Sequence, residues 1–129
     1  MPVELKMLGW SILLGVIYIL IAATLASPQR GMAWVASNRE GESKPLSGAA
    51  GRSDRASKNF LETFVFFAAA VLAVVAAQRT NASTALGAQL FFWARVVYLP
   101  VYLIGIPYLR TLVWATSLAG LLMVAFGLF

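Results

Sequence analysis

Four long apolar segments take up most of this chain and limit what it can fold into. They cover residues 7–25, 60–77, 85–104 and 109–129. Each contains about the ~20 residues that a helix needs to cross a hydrocarbon core of ~30 Å. The rest of the 129-residue chain is too short for a separate soluble domain. The sequence therefore predicts an all-α integral membrane protein, a bundle of four transmembrane helices.

We expect a single domain over residues 1–129, with helices at approximately 5–26, 54–78, 85–104 and 108–128. Apolar residues make up 60% of the chain and the mean hydropathy is +0.80, far above the values of soluble domains. The first segment also resembles a cleavable signal peptide, which stays the alternative interpretation. Its apolar run exceeds the ~7–15 residues of such a peptide, which favours a membrane helix. We expect this helix to end at Ser27-Pro28, because proline disfavours helix at the preceding residue.

A polar stretch at residues 28–53 contains several Gly and Pro residues and no apolar period, which predicts a loop. Six of the ten cations lie between Arg30 and Lys58, whereas the opposite side carries only Lys6 and Arg79. Cytoplasmic loops of membrane proteins are enriched in Lys and Arg. We therefore expect a multi-pass protein with this loop in the cytoplasm and both termini outside.

The chain contains no Cys and no His, which excludes several kinds of site. Disulfides, cysteine nucleophiles, histidine-based triads and thiolate or imidazole metal sites are all impossible. The five acidic residues are scattered, and we place only Glu62 within a span, so no metal is expected. The net charge of +5 is not clustered with surface aromatics, so we expect no nucleic-acid partner.

Polar residues continue from the loop into the second helix. Arg55, Asn59 and Glu62 follow at spacings of four and three, so they share one helix face. A carboxylate at the centre of a span costs about 2.5–3.5 kcal/mol, less near the interface, and normally faces a bundle interior or a cavity. The alternative is an interfacial Glu62 paired with Lys58. Alanines give this helix a small face, and we expect it to be a central packing element.

The third and fourth helices add polar residues at a similar depth. Arg95, Tyr98 and Tyr102 share one face of the third helix, which Pro100 should kink. We expect Arg95 to serve structure by leaning toward Glu62 or a neighbouring subunit. The two tyrosines and Arg110 also fit as interfacial anchors. Their common depth with Asn59 and Glu62 nevertheless predicts one polar pocket.

Three motifs in this order resemble the MAPEG family, the membrane-associated proteins in eicosanoid and glutathione metabolism. Arg55-Ala56-x-x-Asn59-x-x-Glu62 opens the second helix, Ala94-Arg95-Val96-Val97-Tyr98 lies in the third, and Pro107-Tyr108-Leu109-Arg110 opens the fourth. The resemblance spans nearly the whole chain and is to the small prokaryotic-type members, which indicates a bacterial inner membrane.

The resemblance implies a homotrimer in the bilayer that binds glutathione between subunits near the cytoplasmic face and brings it to a lipophilic small molecule. It implies glutathione-binding roles for Arg30, Arg55, Lys58, Asn59, Glu62, Tyr98 and Tyr102, and a catalytic role beside the glutathione sulfur for Arg110. The implied activity is that of a glutathione transferase or peroxidase.

Two positions depart from the family pattern. Gly51 stands where the longer motif often has Glu, and Tyr98 stands where some members have His. Because one fold hosts many functions, these differences leave a second hypothesis open. In that hypothesis the chain is a non-catalytic trimeric membrane protein whose polar motif serves helix packing.

Overall fold

The computed structural model describes all residues 1–129, and it is entirely helical apart from its connections. The helices are α1 (Val3–Arg30), α2 (Met32–Ala36), α3 (Gly48–Ala76), α4 (Ala82–Ile104) and α5 (Pro107–Phe126). All except the short α2 are long and apolar enough to cross a membrane, which confirms the predicted four-span architecture. Large apolar side chains on their outer surfaces, such as Val65 and Phe66, are exposed and suited to contact with lipid.

The four long helices run alternately up and down, so the bundle has two different ends. At the terminal end, where both chain termini lie, Thr84 of α4 donates to the Glu4 carboxylate of α1 and Arg79 donates to the Gly127 carbonyl. At the loop end, α1 and α4 finish while α3 and α5 begin. Residues 31–47 lie at the loop end.

Local signals explain both ends of α4. Asn81 and Thr84 form a capping box at its start, in which each side chain accepts from the backbone of the other residue. Gly105 stops the helix with a φ of +88°, a conformation that glycine adopts without strain. Pro107 then occupies the first turn of α5, where its missing N–H is not needed. The short connection makes α4 and α5 antiparallel neighbours.

Two glycines let α4 and α5 touch through their backbones. A Cβ placed on Gly87 would lie 2.6 Å from the Gly120 carbonyl oxygen, and one on Gly120 would lie 2.5 Å from that of Gly87. Small residues allow such close approach between membrane helices. In the most apolar part of α4, 56% of residues are buried, against 28% in α3. We predicted that the alanine-rich second span is a central packing element. Although α4 is the more buried helix, α3 supplies four of the nine residues of the main buried apolar cluster, Phe67, Ala70, Val71 and Val74.

The first helix passes through the proline that we expected to end it. Pro28 lies inside α1, which continues to Arg30 and is stopped by Gly31 at a φ of +91°. A proline removes only one backbone hydrogen bond from a helix, and here it lies in the last turn, where little follows. Ser27 donates its hydroxyl to the Ala23 carbonyl at 2.7 Å in the same turn. The predicted end at residue 26 was thus too early.

The second span begins well before its predicted start at residue 54, so the predicted loop 28–53 is too long. α3 begins at Gly48, and α2 lies within the same stretch. The Gln29 side chain binds the backbone of Ser47 through its amide oxygen at 2.9 Å and its amide nitrogen at 3.1 Å. Ala50 and other small residues are buried in the first turns of α3. This tertiary packing extends the helix beyond what its apolar pattern indicates.

A second acidic residue lies inside a span, contrary to the sequence interpretation. Glu4 belongs to the first turn of α1 and is only 3% exposed. Its carboxylate accepts from the Thr84 hydroxyl at the capped start of α4. A carboxylate is stabilised beside a helix N-terminus, which explains how an acidic side chain is accommodated there.

Candidate functional site

A cleft of about 530 Å³ lies in the loop-end half of the bundle, between α3, α4 and α5. Its walls are formed by Arg55, Lys58, Asn59 and Glu62 of α3, Tyr98 and Tyr102 of α4, and Arg110, Thr111 and Trp114 of α5. Seven of the eight predicted site residues are among them. Three cations and one carboxylate give the cleft an excess of two positive charges. Helical spacing on each span therefore produces one continuous polar surface.

Tyr102 connects cations from two different helices. Its hydroxyl oxygen accepts from Arg55 Nε at 3.3 Å. The guanidinium of Arg110 lies over its ring, 5.0 Å from the ring centroid, in a cation–π contact. Tyr102 is itself buried at 8% exposure, so its position is set by packing within α4. Tyr102 thereby contacts both arginines, one through its hydroxyl and the other through its ring.

Glu62 is exposed to the cleft and forms no ion pair. The only ion pair in the chain joins Lys58 to Asp54, at 3.1 Å. The alternative in which Glu62 pairs with Lys58 is therefore wrong. An acid four residues before a lysine is the better helical arrangement, whereas Glu62 follows its lysine. The cleft thus holds one carboxylate that is free to accept a cation.

Arg95 lies behind the cleft wall instead of reaching along it. It is 0% exposed, and its Nη2 donates to Asn59 Oδ1 at 2.9 Å. Its guanidinium lies over the rings of Tyr98 and Phe60, at 4.3 Å and 5.4 Å from their centroids. The prediction that Arg95 leans toward Glu62 was wrong, because aromatic rings and one amide of its own chain enclose it. The alternative contact with a neighbouring subunit stays a prediction.

Arg30 is the one predicted site residue that the chain does not bring to its own cleft. It lies in the last turn of α1, and no residue of α1 lines the cleft. Its Nε is shielded from solvent and has no hydrogen-bond partner. Arg30 can therefore contribute to a glutathione site only if that site belongs to another subunit.

Trp114 and Thr111 line the cleft but were not predicted from the sequence. Trp114 follows Arg110 by four residues, so the spacing rule that grouped the α3 residues would also have found it. Its indole nitrogen is shielded from solvent and has no partner. Thr111 donates its hydroxyl to the Pro107 carbonyl at 3.2 Å, which leaves only its oxygen lone pairs for a further hydrogen bond. Trp114 adds an apolar wall beside the cations.

Comparison with known proteins identifies a family. A family model described as the MAPEG family matches residues 7–129, which include all nine residues of the cleft. No curated protein and no solved structure matches the chain. The match extends over all four long helices and so does not depend on one motif.

Proposed function

Because the chain belongs to the MAPEG family, whose members act in eicosanoid and glutathione metabolism, we propose that its cleft binds glutathione and presents the sulfur to a lipophilic electrophile. The observation that carries the proposal is the charge of the cleft, with its three cations and one unpaired carboxylate. Glutathione has two carboxylates and one ammonium group, and it reaches a net charge of −2 when its thiol ionises. The charge excess of the cleft matches that form.

The groups of the ligand have complementary partners on α3. Glu62 is suited to the ammonium group, since it is the only carboxylate on the wall. Arg55 is suited to a carboxylate, because a guanidinium offers a planar pair of donors. Lys58 adds a compact charge at the rim, where its side chain is 70% exposed and pairs with Asp54. This arrangement explains why one helix face carries both signs of charge.

Arg110 is the proposed catalytic residue. A cysteine thiol has a pKa of about 8.5, and a nearby cation lowers it by stabilising the thiolate. In the proposed transfer the thiolate sulfur bonds to an electrophilic carbon, whose leaving group departs with its electron pair. An electrophile dissolved in the bilayer reaches the site beside Trp114 of α5. The protein needs no cysteine of its own, consistent with its composition.

The proposed assembly is a homotrimer in a bacterial inner membrane, with the loop end in the cytoplasm. The cationic loop supports that orientation through the positive-inside rule. Arg30 lies outside the cleft of its own chain. In the proposed trimer it belongs to the cleft of a neighbouring protomer, where glutathione lies between subunits.

One observation favours the second hypothesis, a non-catalytic protein whose polar motif serves packing. Asn59 is used inside the bundle, since it binds Arg95. The same does not hold for Glu62, because it pairs with no cation. Helix packing gives this exposed carboxylate no role. The binding function explains more of the motif.

Calorimetry in detergent micelles separates the two hypotheses. We expect glutathione to bind the wild-type protein with a submillimolar dissociation constant. Glu62→Gln should bind at least tenfold more weakly, a loss of about 1.4 kcal/mol, because the ammonium group loses its only carboxylate. Lys6→Gln is the control, since Lys6 is exposed at the terminal end and should bind normally. Absence of binding by the wild type at millimolar glutathione would rule out the proposed site.

A further inference from the structure

Arg95 is a buried cation that the proposed reaction does not use. It does not line the cleft, yet it contacts two residues that do, Asn59 and Tyr98. Only one of its three guanidinium nitrogens has a hydrogen-bond partner, since Nε and Nη1 have none. Burial of an incompletely paired charge is costly, and an apolar side chain would fill the same space at lower cost. The residue therefore requires a reason beyond packing.

The partner of Arg95 supplies that reason. A guanidinium can only donate hydrogen bonds, so the group that Asn59 turns toward it must be the carbonyl oxygen. The observed bond from Nη2 to Oδ1, at 2.9 Å, has this polarity. A carboxamide is planar, so its NH2 group lies on the other branch, away from the oxygen. Asn59 Nδ2 has no partner in the chain, and Asn59 is part of the cleft wall.

We propose that Arg95 is a positioning residue that holds the Asn59 carboxamide with its NH2 group toward the cleft, as a donor to a carbonyl or carboxylate oxygen of the bound peptide. The chemistry of the ligand rests on the proposed function, whereas the orientation of Asn59 does not. Without Arg95 the carboxamide could rotate and present its oxygen, which would repel the same ligand atom. Arg95, which lies behind the cleft wall, thus determines that Asn59 offers a hydrogen-bond donor to the cleft.

Tyr98 helps to hold Arg95 in place. Its ring lies 4.3 Å from the guanidinium carbon, and Phe60 lies on the same guanidinium at 5.4 Å. Tyr18 of α1 donates its hydroxyl to the Arg95 backbone carbonyl and fixes the main chain at this point of α4. The guanidinium therefore has little conformational freedom. Its fixed position determines the orientation of the Asn59 carboxamide.

Asn59→Asp tests the proposal in a variant that should fold. Its carboxylate can pair with Arg95, so we expect a melting temperature at least equal to that of the wild type. The NH2 donor is lost, and glutathione should bind more than tenfold more weakly in calorimetry. A variant that binds glutathione as tightly as the wild type would overturn the proposal.

A double-mutant cycle tests whether Arg95 acts through Asn59. Arg95→Met and Asn59→Ala should each weaken glutathione binding about tenfold, and the double variant should be no weaker than Asn59→Ala alone. Arg95→Lys keeps a donor and should restore part of the affinity lost in Arg95→Met. Losses that multiply in the double variant would contradict the proposal, because they would mean independent roles.

Side-chain 15N relaxation tests the orientation without glutathione. The chain has three asparagines, and Asn59→Ala identifies the signal of Asn59 by its disappearance. We expect the Asn59 amide to be rigid in the wild type and mobile in Arg95→Met. In Arg95→Lys it should be mobile to a smaller degree. An amide that stays equally rigid in both variants would overturn the positioning role, whatever the result for glutathione.

Discussion

At the scale of single residues, Tyr102 decides how the cations of the cleft are arranged. It accepts a hydrogen bond from Arg55 and lies beneath the guanidinium of Arg110, so its hydroxyl and its ring have separate tasks. The hydroxyl orders a group proposed to bind a carboxylate. The ring orders the group proposed to stabilise the thiolate. Substitutions at this position can separate binding from ionisation.

Tyr102→Phe should remove the hydrogen bond with Arg55 and keep the ring beneath Arg110. We expect glutathione affinity to fall about three- to tenfold, because Arg55 loses one hydrogen bond worth roughly 1 kcal/mol at this partly exposed site. Tyr102→Ala should also reduce the fraction of bound thiolate, since Arg110 loses its ring. Calorimetry measures the affinity and ultraviolet absorbance the thiolate. Equal loss of thiolate in both variants would contradict this division.

Site residues could be predicted from the sequence where their grouping depends only on spacing along one helix. Arg55, Lys58, Asn59 and Glu62 share a face because helical geometry is the same in any helix. The partner of Arg95 could not be found in this way, since it depends on how α3 packs beside α4. Trp114 could have been found from its spacing to Arg110, but tryptophan in a span also fits as core or interface.

At the scale of elements, the contact between α4 and α5 depends on two glycines. Gly87→Ala places a methyl group 2.6 Å from a backbone oxygen of α5, which cannot move without displacing the helix. We expect a loss of about 1–3 kcal/mol, seen as a lower melting temperature in detergent. Gly9→Ala is the matched control, because a Cβ there meets nothing within 4 Å. An equal melting temperature for both variants would show that the helices are not in backbone contact.

The element boundaries show where sequence patterns mislead. The length of each apolar run predicts the membrane-spanning part of each helix, and the ends of α4 agree with their local capping and glycine signals. It does not predict the start of α3, because those turns are ordered by burial of small residues and by the Gln29 contact to Ser47. The end of α1 was predicted too early because of Pro28. A proline in the last turn of a helix destabilises that helix only slightly.

At the scale of the whole molecule, the charge asymmetry predicts the orientation in the membrane. Ser43 lies in the cationic loop and Thr80 at the terminal end, and both are exposed in a chain without cysteine. On intact cells, a membrane-impermeant thiol reagent should label Thr80→Cys, and it should label Ser43→Cys only after permeabilisation. The reverse pattern would overturn the orientation.

The proposal that the cleft ionises glutathione is tested by the ultraviolet absorbance of the bound thiolate as a function of pH. A pKa below the ordinary value of about 8.5 means that the thiol is ionised at lower pH than in free glutathione. We predict a titration midpoint well below that value for the wild type. In Arg110→Ala the midpoint should return toward about 8.5, because the stabilising cation is gone. Arg79→Ala, at the terminal end, should behave as the wild type. A midpoint equal to that of free glutathione in the wild-type complex would contradict the proposed role of the cleft.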